Sequence, residues 1–363
     1  MGTIEEKIFM SLSREKRLYP KVFKEYFDLG LDQLYPLSKS IDAKSFFNNT
    51  LFRPHFDSRI FASADDKKIF NDKFGSLDFV AETYNSYKEI KDRTGRWFIK
   101  PYAGTCGDGI VITDMLDKII MNDKRGDCLH CKENIQKYVL NDCVYQRLIE
   151  NPLLLNNRKQ DIRVWIIIET YNGYFNTYLY YDGWCKISIN EYKNDDLSRD
   201  TQLTNAVNAL RKMGYEKLQD YTWPWSTKST ESTQYKIFYE KVIPPLKQFS
   251  ELFYLLLNNK TQRNQFHLFA LDFLPDEDMK LWLLDVNANP GPGFYNDVDP
   301  LSDGNLRAAP EFVREFQTKH VNSILREIVP KYLGQSGKLD RPWWNYQKIF
   351  SKKMDYTKWI EKV

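Results

Sequence analysis

The chain has 363 residues, enough for two or three folding units of roughly 100–200 residues each. Hydrophobic residues make up 42%, charged residues 28% and aromatics 15%, the balance of a soluble globular protein with material for a large core. Its 52 basic and 49 acidic side chains leave a net charge of +3, which excludes a general nucleic-acid binder, and no run approaches the roughly 18 apolar residues of a membrane span.

Residues 1–95 read as an N-terminal domain, mixed but mainly helical, with apolar clusters such as 21–35. The opening MGTIEEKIFMSLSREKR lacks the apolar core of a signal peptide, and Glu6 stands where a myristoylation signal calls for Ser or Thr. A cytoplasmic, monomeric protein is the expectation.

Residues 96–150 form a second unit. An apolar strand at 97–99, a glycine-rich turn and a strand at 110–112 predict a hairpin, which excludes both a Walker loop and a dinucleotide fingerprint. Gly104, Gly107 and Gly109 would let backbone N–H groups approach phosphates, with Lys100 adding a point charge; the plain alternative is an ordinary turn. Cys128 and Cys131 form a C-x-x-C around His130, but no second pair completes a zinc site. The five cysteines are odd in number and sparse, as in a reducing compartment. A short strand follows at 143–149.

Residues 151–335 form a third unit, with 336–363 a polar, aromatic tail. Strands are predicted at 161–171, 174–181 and 184–189, separated by the hairpin signals Asn172-Gly173 and Asp182-Gly183. Helices are predicted at 201–213, 234–258 and 305–333. Lys159, Asp161 and Arg163 share one face of the first strand, opposite Ile162, Val164, Ile166 and Ile168. Solvent alternation explains that pattern equally well, although two cations on one face suit a polyphosphate.

The sharpest signal lies in the apolar strands 267–274 and 280–287, which nevertheless carry Asp272, Asp285 and Asn287. Buried carboxylates need a compensating cation. If the acidic turn closes near Asp278-Met279, Asp272 faces Asp285, with Asn287 on the same side. Hard oxygen donors of this kind suit Mg²⁺ shared with phosphates, whereas pairing with nearby Lys or Arg is the structural alternative. No H-E-x-x-H or G-x-S-x-G motif accompanies the four histidines.

Taken in order, these elements resemble an ATP-grasp enzyme, and in wording the tubulin–tyrosine ligase family. The resemblance rests on WFIKPYAGTCGDGI, VYQRLIENPLLL, RKQDIRVW, LTN at 203–205 and LDFLPDEDMKLWLLDVNANP, and runs from about residue 79 to about 292. It implies an α+β ATP-grasp fold, two antiparallel-sheet lobes clasping ATP beside a smaller N-terminal domain. Lys100 would contact phosphates beneath Gly104, Gly107 and Gly109. Gln146, Arg147 and Ile149 would form the adenine hinge, with backbone groups at the purine edge. Lys159 and Asp161 would reach the nucleotide, and Thr204 and Asn205 would line the same cleft. Arg163 would reach the phosphates or the reacting carboxyl, Lys186 would take the place of a residue that grips the incoming amino acid or the acyl phosphate, and Asp272, Asp285 and Asn287 would hold Mg²⁺. Asp285 stands where the family usually has Glu, Arg147 where Lys is common, and Lys186 in place of an arginine. The implied reaction joins tyrosine, glutamate or glycine to an acidic peptide or tubulin-like acceptor through an acyl phosphate. Lys186, Lys193, Arg199, Arg211 and Lys212 are candidates for a basic stripe facing that acceptor. A ligase for another peptide or small acid, and a nucleotide-binding pseudo-ligase, are the alternatives.

Overall fold

The computed structural model of the protein describes residues 66–102, 107, 109–124, 142–227, 232–257, 265–287, 311–323, 327–328 and 345–354. Most of the expected N-terminal domain, Gly104, Cys128, His130, Cys131, Trp343, Trp344 and Trp359 lie outside the described residues.

The fold is α+β and built on two antiparallel sheets. The smaller contains β1 (Thr83–Tyr84), β2 (Trp97–Pro101), β3 (Val111–Thr113) and β4 (Cys143–Arg147), in the order β1-β4-β2-β3. Strands β2 and β3 form the glycine hairpin expected from the sequence, with Phe98 opposite Ile112. Alternation gives this sheet two distinct faces. Trp97, Ile99, Cys143 and Tyr145 pack with Leu116 and Ile120 of a helix at Leu116–Lys124. Lys100 and Gln146 project from the other face. A preceding helix, α1 (Lys67–Phe74), is capped by Asp66, whose side chain accepts the Lys68 and Ile69 N–H groups at 2.9 and 3.0 Å. The helix at Leu116–Lys124 is therefore α2.

The larger sheet contains β5 (Leu154–Leu155), β6 (Arg158–Tyr171), β7 (Tyr174–Tyr180), β8 (Trp184–Ile187), β9 (Thr222–Pro224), β10 (Gln265–Pro275), β11 (Leu281–Asn287) and β12 (Tyr346–Lys353). Its main path runs β11-β10-β6-β7-β12; β5 and β8 also pair with β6, and β9 with β8. The Asn172-Gly173 turn joins β6 to β7 with both residues at positive φ (49° and 78°), the type I′ geometry that this dipeptide favours. Part of the tail, as β12, extends the sheet beyond β7.

Asp182-Gly183 behaves differently from the expected hairpin. Strand β8 pairs with residues 160–163 of β6, on the edge where β7 pairs with 166–171, so the two follow one another along β6 instead of folding back. Gly183 is not left-handed, and Asp182 accepts the Ser226 N–H and hydroxyl at 3.2 and 2.6 Å. The dipeptide makes a kink anchored to Ser226, with no chain reversal.

Both faces of the larger sheet are covered. The aliphatic face of β6, Ile162, Val164, Ile166 and Ile168, packs against a helix at Ser232–Leu257. That helix presents Phe238, Val242, Leu246, Phe249, Phe253 and Leu257 at spacings of three and four, a single apolar stripe. It contains Pro244 and Pro245, whose missing donors leave the carbonyls of Glu240 and Lys241 without intrahelical partners; both residues are exposed, so water is available. The opposite face, including Trp165 and Ile167, packs against Val313 and Phe316 of a helix at Glu311–Ser323. The sequence 201–213, expected as one helix, divides into α3 (Arg199–Gln202) and α4 (Ala206–Met213). Leu203 is extended, and Asn205 caps α4 by accepting the Asn208 N–H at 3.3 Å. The two sheet-covering helices are then α5 and α6.

Gly183 meets Trp225 closely: a Cβ there would lie 2.3 Å from the indole ring. Gly183→Ala should lower the unfolding free energy by about 1–3 kcal/mol through overpacking. Urea denaturation reads this directly, and an unchanged midpoint would count against the kink as a packing constraint.

Candidate functional site

The chemistry collects where the two sheets face one another. Cross-strand register builds its floor. Asp161 of β6 lies opposite Lys186 of β8, Arg163 opposite Asp272 of β10, and Asp272 opposite Asp285 of β11. Directly opposed residues share a sheet face, so a row of charged side chains crosses four strands. On β6 the same face continues into Trp165 and Ile167 beneath α6. The polar row occupies the end of the strand that the apolar cluster leaves free.

Asp272 is the centre of the row. The Arg163 guanidinium grips it with two parallel bonds of 2.7 Å, Lys186 Nζ lies 3.1 Å from Oδ1, and Asn287 Nδ2 reaches Oδ2 at 3.4 Å. Burial alone would raise its pKa, but the Arg163 and Lys186 cations overcome that and hold the carboxyl well below the usual carboxylate range. Lys186 also sits 2.9 Å from Asp161. Asp161 is pushed upward, first by burial and then by the neighbouring Asp272 charge, against the pull of Lys186 and a hydrogen bond donated by the Thr204 hydroxyl.

Two lysines face this row with no carboxylate of their own. Lys100 Nζ donates to Gln146 Oε1 at 2.6 Å and to the Leu284 carbonyl at 3.5 Å, and Gln146 in turn donates to Thr83 Oγ1 at 3.1 Å. Lys159 Nζ donates to Gln202 Oε1 at 3.2 Å and lies 5.3 Å from the Phe98 ring centre. Among the described residues neither ammonium forms an ion pair. Burial pushes Lys100 down to about 8, and burial with repulsion from Lys100 pushes Lys159 down to about 7.

The structure separates the remaining expected residues. Asp285 is a third exposed and pairs with Lys67 of α1 at 3.7 Å. Gly107 and Gly109 are both left-handed, at φ of 74° and 73°. Asn205 approaches Gly107, with Nδ2 3.4 Å from where a Cβ would stand. Ile149 is half-buried beyond β4. Arg147 points away from Lys100: its guanidinium lies 4.3 Å from the Trp97 ring centre and bonds to Glu82 and the Thr94 carbonyl. Its backbone N–H is engaged by the Glu82 carbonyl at 2.8 Å. The expected basic stripe is also reduced. Lys186 is buried, Arg199 bonds to backbone carbonyls, Lys212 pairs with Asp200, and Lys193 remains exposed.

Lys67 and Gln202 join the site without having been singled out from sequence. Lys67 sits in an ordinary charged helix, and Gln202 carries no charge to draw attention. Only their positions, beside Asp285 and Lys159, give them a role.

The donors suit a hard divalent ion. Asp272, Asp285 and Asn287 offer oxygen atoms on one hairpin face, and the first of these carboxyls stays ionised. Among the described residues no cluster of three or more His, Cys, Asp or Glu could enclose a metal.

Residues 57–297 match the Tubulin-tyrosine ligase family. Tubulin glycylase 3C of Tetrahymena thermophila is 28% identical over 213 residues, 56% of this chain and 19% of the relative. A probable alpha-tubulin polyglutamylase, Ttll1, of the same organism is 23% identical over 286 residues, covering 73% and 63% of the two chains. The mouse protein monoglycylase TTLL8 is 25% identical over 242 residues, covering 63% and 28%. The chain thus spans less than two thirds of the length of each of these relatives. With the family match covering well over half of its residues, the chain belongs to the tubulin-tyrosine ligase family.

Proposed function

We propose that the protein is an ATP-dependent carboxylate–amine ligase that joins an amino acid to the carboxylate of a peptide or protein acceptor. The observation that carries this reading is the pair of buried lysines, Lys100 and Lys159, facing the Asp272 row without ion-pair partners among the described residues. Unneutralised buried cations are costly unless a ligand supplies the counter-charge, and a polyphosphate does so for both. The relatives named as tubulin glycylases and polyglutamylases support a tubulin-like acceptor with glycine or glutamate as the amino acid added, and the family's name adds tyrosine.

The reaction proceeds in two steps. The acceptor carboxylate attacks the γ-phosphorus of ATP, releasing ADP and forming an acyl phosphate. The amine of the incoming amino acid then attacks the acyl carbon, releasing inorganic phosphate and a proton as the amide forms. The chain supplies positioning and charge and requires no covalent nucleophile. Gln146 fixes the Lys100 amine and Gln202 that of Lys159, so both nitrogens are in position before nucleotide arrives. Arg163 and Lys186 flank Asp272 and would face the carboxyl and phosphoryl oxygens on which charge develops. Asp272, Asp285 and Asn287 would hold Mg²⁺, which supplies charge neutralisation on the phosphates.

The direct test is mass spectrometry of an acidic tubulin-tail peptide incubated with the protein, Mg²⁺, ATP and each amino acid in turn. An ATP-dependent gain of one residue or more is expected. Absence of a gain, with ATP still bound, favours a different acceptor or a pseudo-ligase; the Lys67–Asp285 pair, which occupies an expected metal donor, is the feature that favours the latter.

Asp272→Asn should reduce ligation by at least about 100-fold, since it removes the charge that orients Arg163 and Lys186 along with a metal donor. Full activity in a folded Asp272→Asn protein would overturn the assignment of this carboxylate.

Nucleotide binding should also be linked to protons. Lys159, held at about 7, is mostly neutral at pH 8, and anionic phosphates favour its charged form. Binding should therefore take up protons at pH 8, and affinity should fall as pH rises above 7. Calorimetry at pH 8 in buffers of different ionisation heat measures the uptake, which Lys159→Met should diminish. Identical heats in all buffers would show that Lys159 does not meet the phosphates.

A further inference from the structure

The segment 196–205 touches both sheets at once. Arg199, at the start of α3, is half-buried. One guanidinium nitrogen donates to the Ile110 carbonyl at 2.9 Å, the other to the Gly107 carbonyl at 2.8 Å. These carbonyls lie at the end of the turn that leads from β2 into β3, where the Ile110 N–H also reaches Gly107 O at 3.4 Å. Further along the segment, Gln202 accepts the Lys159 ammonium and Thr204 donates to Asp161. Leu203 and Asn205 crowd Gly107, at 3.7 and 3.4 Å from the place of a Cβ.

The segment is internally braced. Asp196 accepts the Ser198 N–H at 2.8 Å and the Thr201 hydroxyl, and its carbonyl accepts Gln202 Nε2 at 2.7 Å. The hydrogen bond from Thr201 and the one from Ser198 hold the Asp196 carboxyl below its ordinary pKa.

We propose that Arg199 is a positioning residue that ties the glycine hairpin to the Lys159–Asp161 end of β6. The inference deepens the nucleotide-site reading and rests on it. A guanidinium presents two donors in a fixed fork, so one side chain spans two carbonyls; an ammonium in its place satisfies one well and loses the planar geometry. Both bonds are charge-assisted, the stronger class of hydrogen bond. Through them the hairpin that continues from Lys100 moves with the segment that holds Lys159 and Asp161. The two phosphate-facing lysines lie on different sheets, and Arg199 sets the distance between those sheets at the glycine rim.

The test compares wild type, Arg199→Ala and Arg199→Lys by hydrogen exchange over a peptide covering 107–113 and by steady-state kinetics with varied ATP. Thermal unfolding confirms that each variant is folded. In Arg199→Ala, exchange over 107–113 should rise and the KM for ATP should increase about tenfold, as expected for loss of a hydrogen bond from a charged donor. The kcat at saturating ATP should change far less. Arg199→Lys should fall between. Unchanged exchange, or faster exchange with an unchanged KM, overturns the proposal. A wild-type protein that binds no adenine nucleotide sinks the ligase reading, while the exchange comparison still decides whether Arg199 holds the hairpin.

Discussion

The site depends on the bidentate bond between Arg163 and Asp272. It joins the two central strands of the larger sheet, β6 and β10, at the point where the apolar core gives way to polar chemistry. A carboxylate this buried, at 7% exposure, would otherwise be driven toward its neutral form. The guanidinium keeps it charged, and the charge then recruits Lys186 from β8 and the Asn287 amide from β11. Removing one partner would leave the others buried and uncompensated, so the row stands or falls as a unit.

That row was legible because it broke a rule. Asp272 and Asp285 interrupt two apolar strands, and a strand hairpin leaves few registers in which they do not meet. Asp272 does pair with Asp285, but through a β-bulge: from the turn, where Met279 is left-handed, the register runs Pro275 opposite Leu281 to Phe273 opposite Leu283, and the shift between Phe273 and Asp272 skips Leu284 to bring Asp285 into place. The Asn172-Gly173 hairpin was legible for a similar reason, since its backbone demand is met by few dipeptides. Asp182-Gly183 has the same local preference, yet tertiary contacts with Ser226 and Trp225 override it. Propensity states what a turn can do; the packing partner decides what it does.

The residues that escaped notice share one property: their own neighbourhood in sequence is unremarkable. Gln202, in the short helix α3, matters only because the Lys159 ammonium, 43 residues away in sequence, donates to it. Strand β12, in YQKIFSKK, is lysine-rich and reads as tail, because an outer strand has few buried positions with which to announce its period. Arg147 presents the converse. Its hinge role was expected of the backbone, and strand alternation sends its side chain to the opposite face from Gln146, onto Trp97.

The short stretch between α1 and β2 carries one more consequence. The backbone of residues 79–81 bonds to Leu283 of β11 at 2.7 and 3.4 Å, and within a few residues β1 pairs with β4 of the smaller sheet. One run of chain is thus stitched to both sheets in succession. The coupling is all backbone: the Leu283 N–H and carbonyl on one side and the β1–β4 ladder on the other. Side-chain substitution within residues 79–84 therefore leaves the seam its hydrogen bonds, and proline, which removes a backbone donor, is the replacement that would cut it.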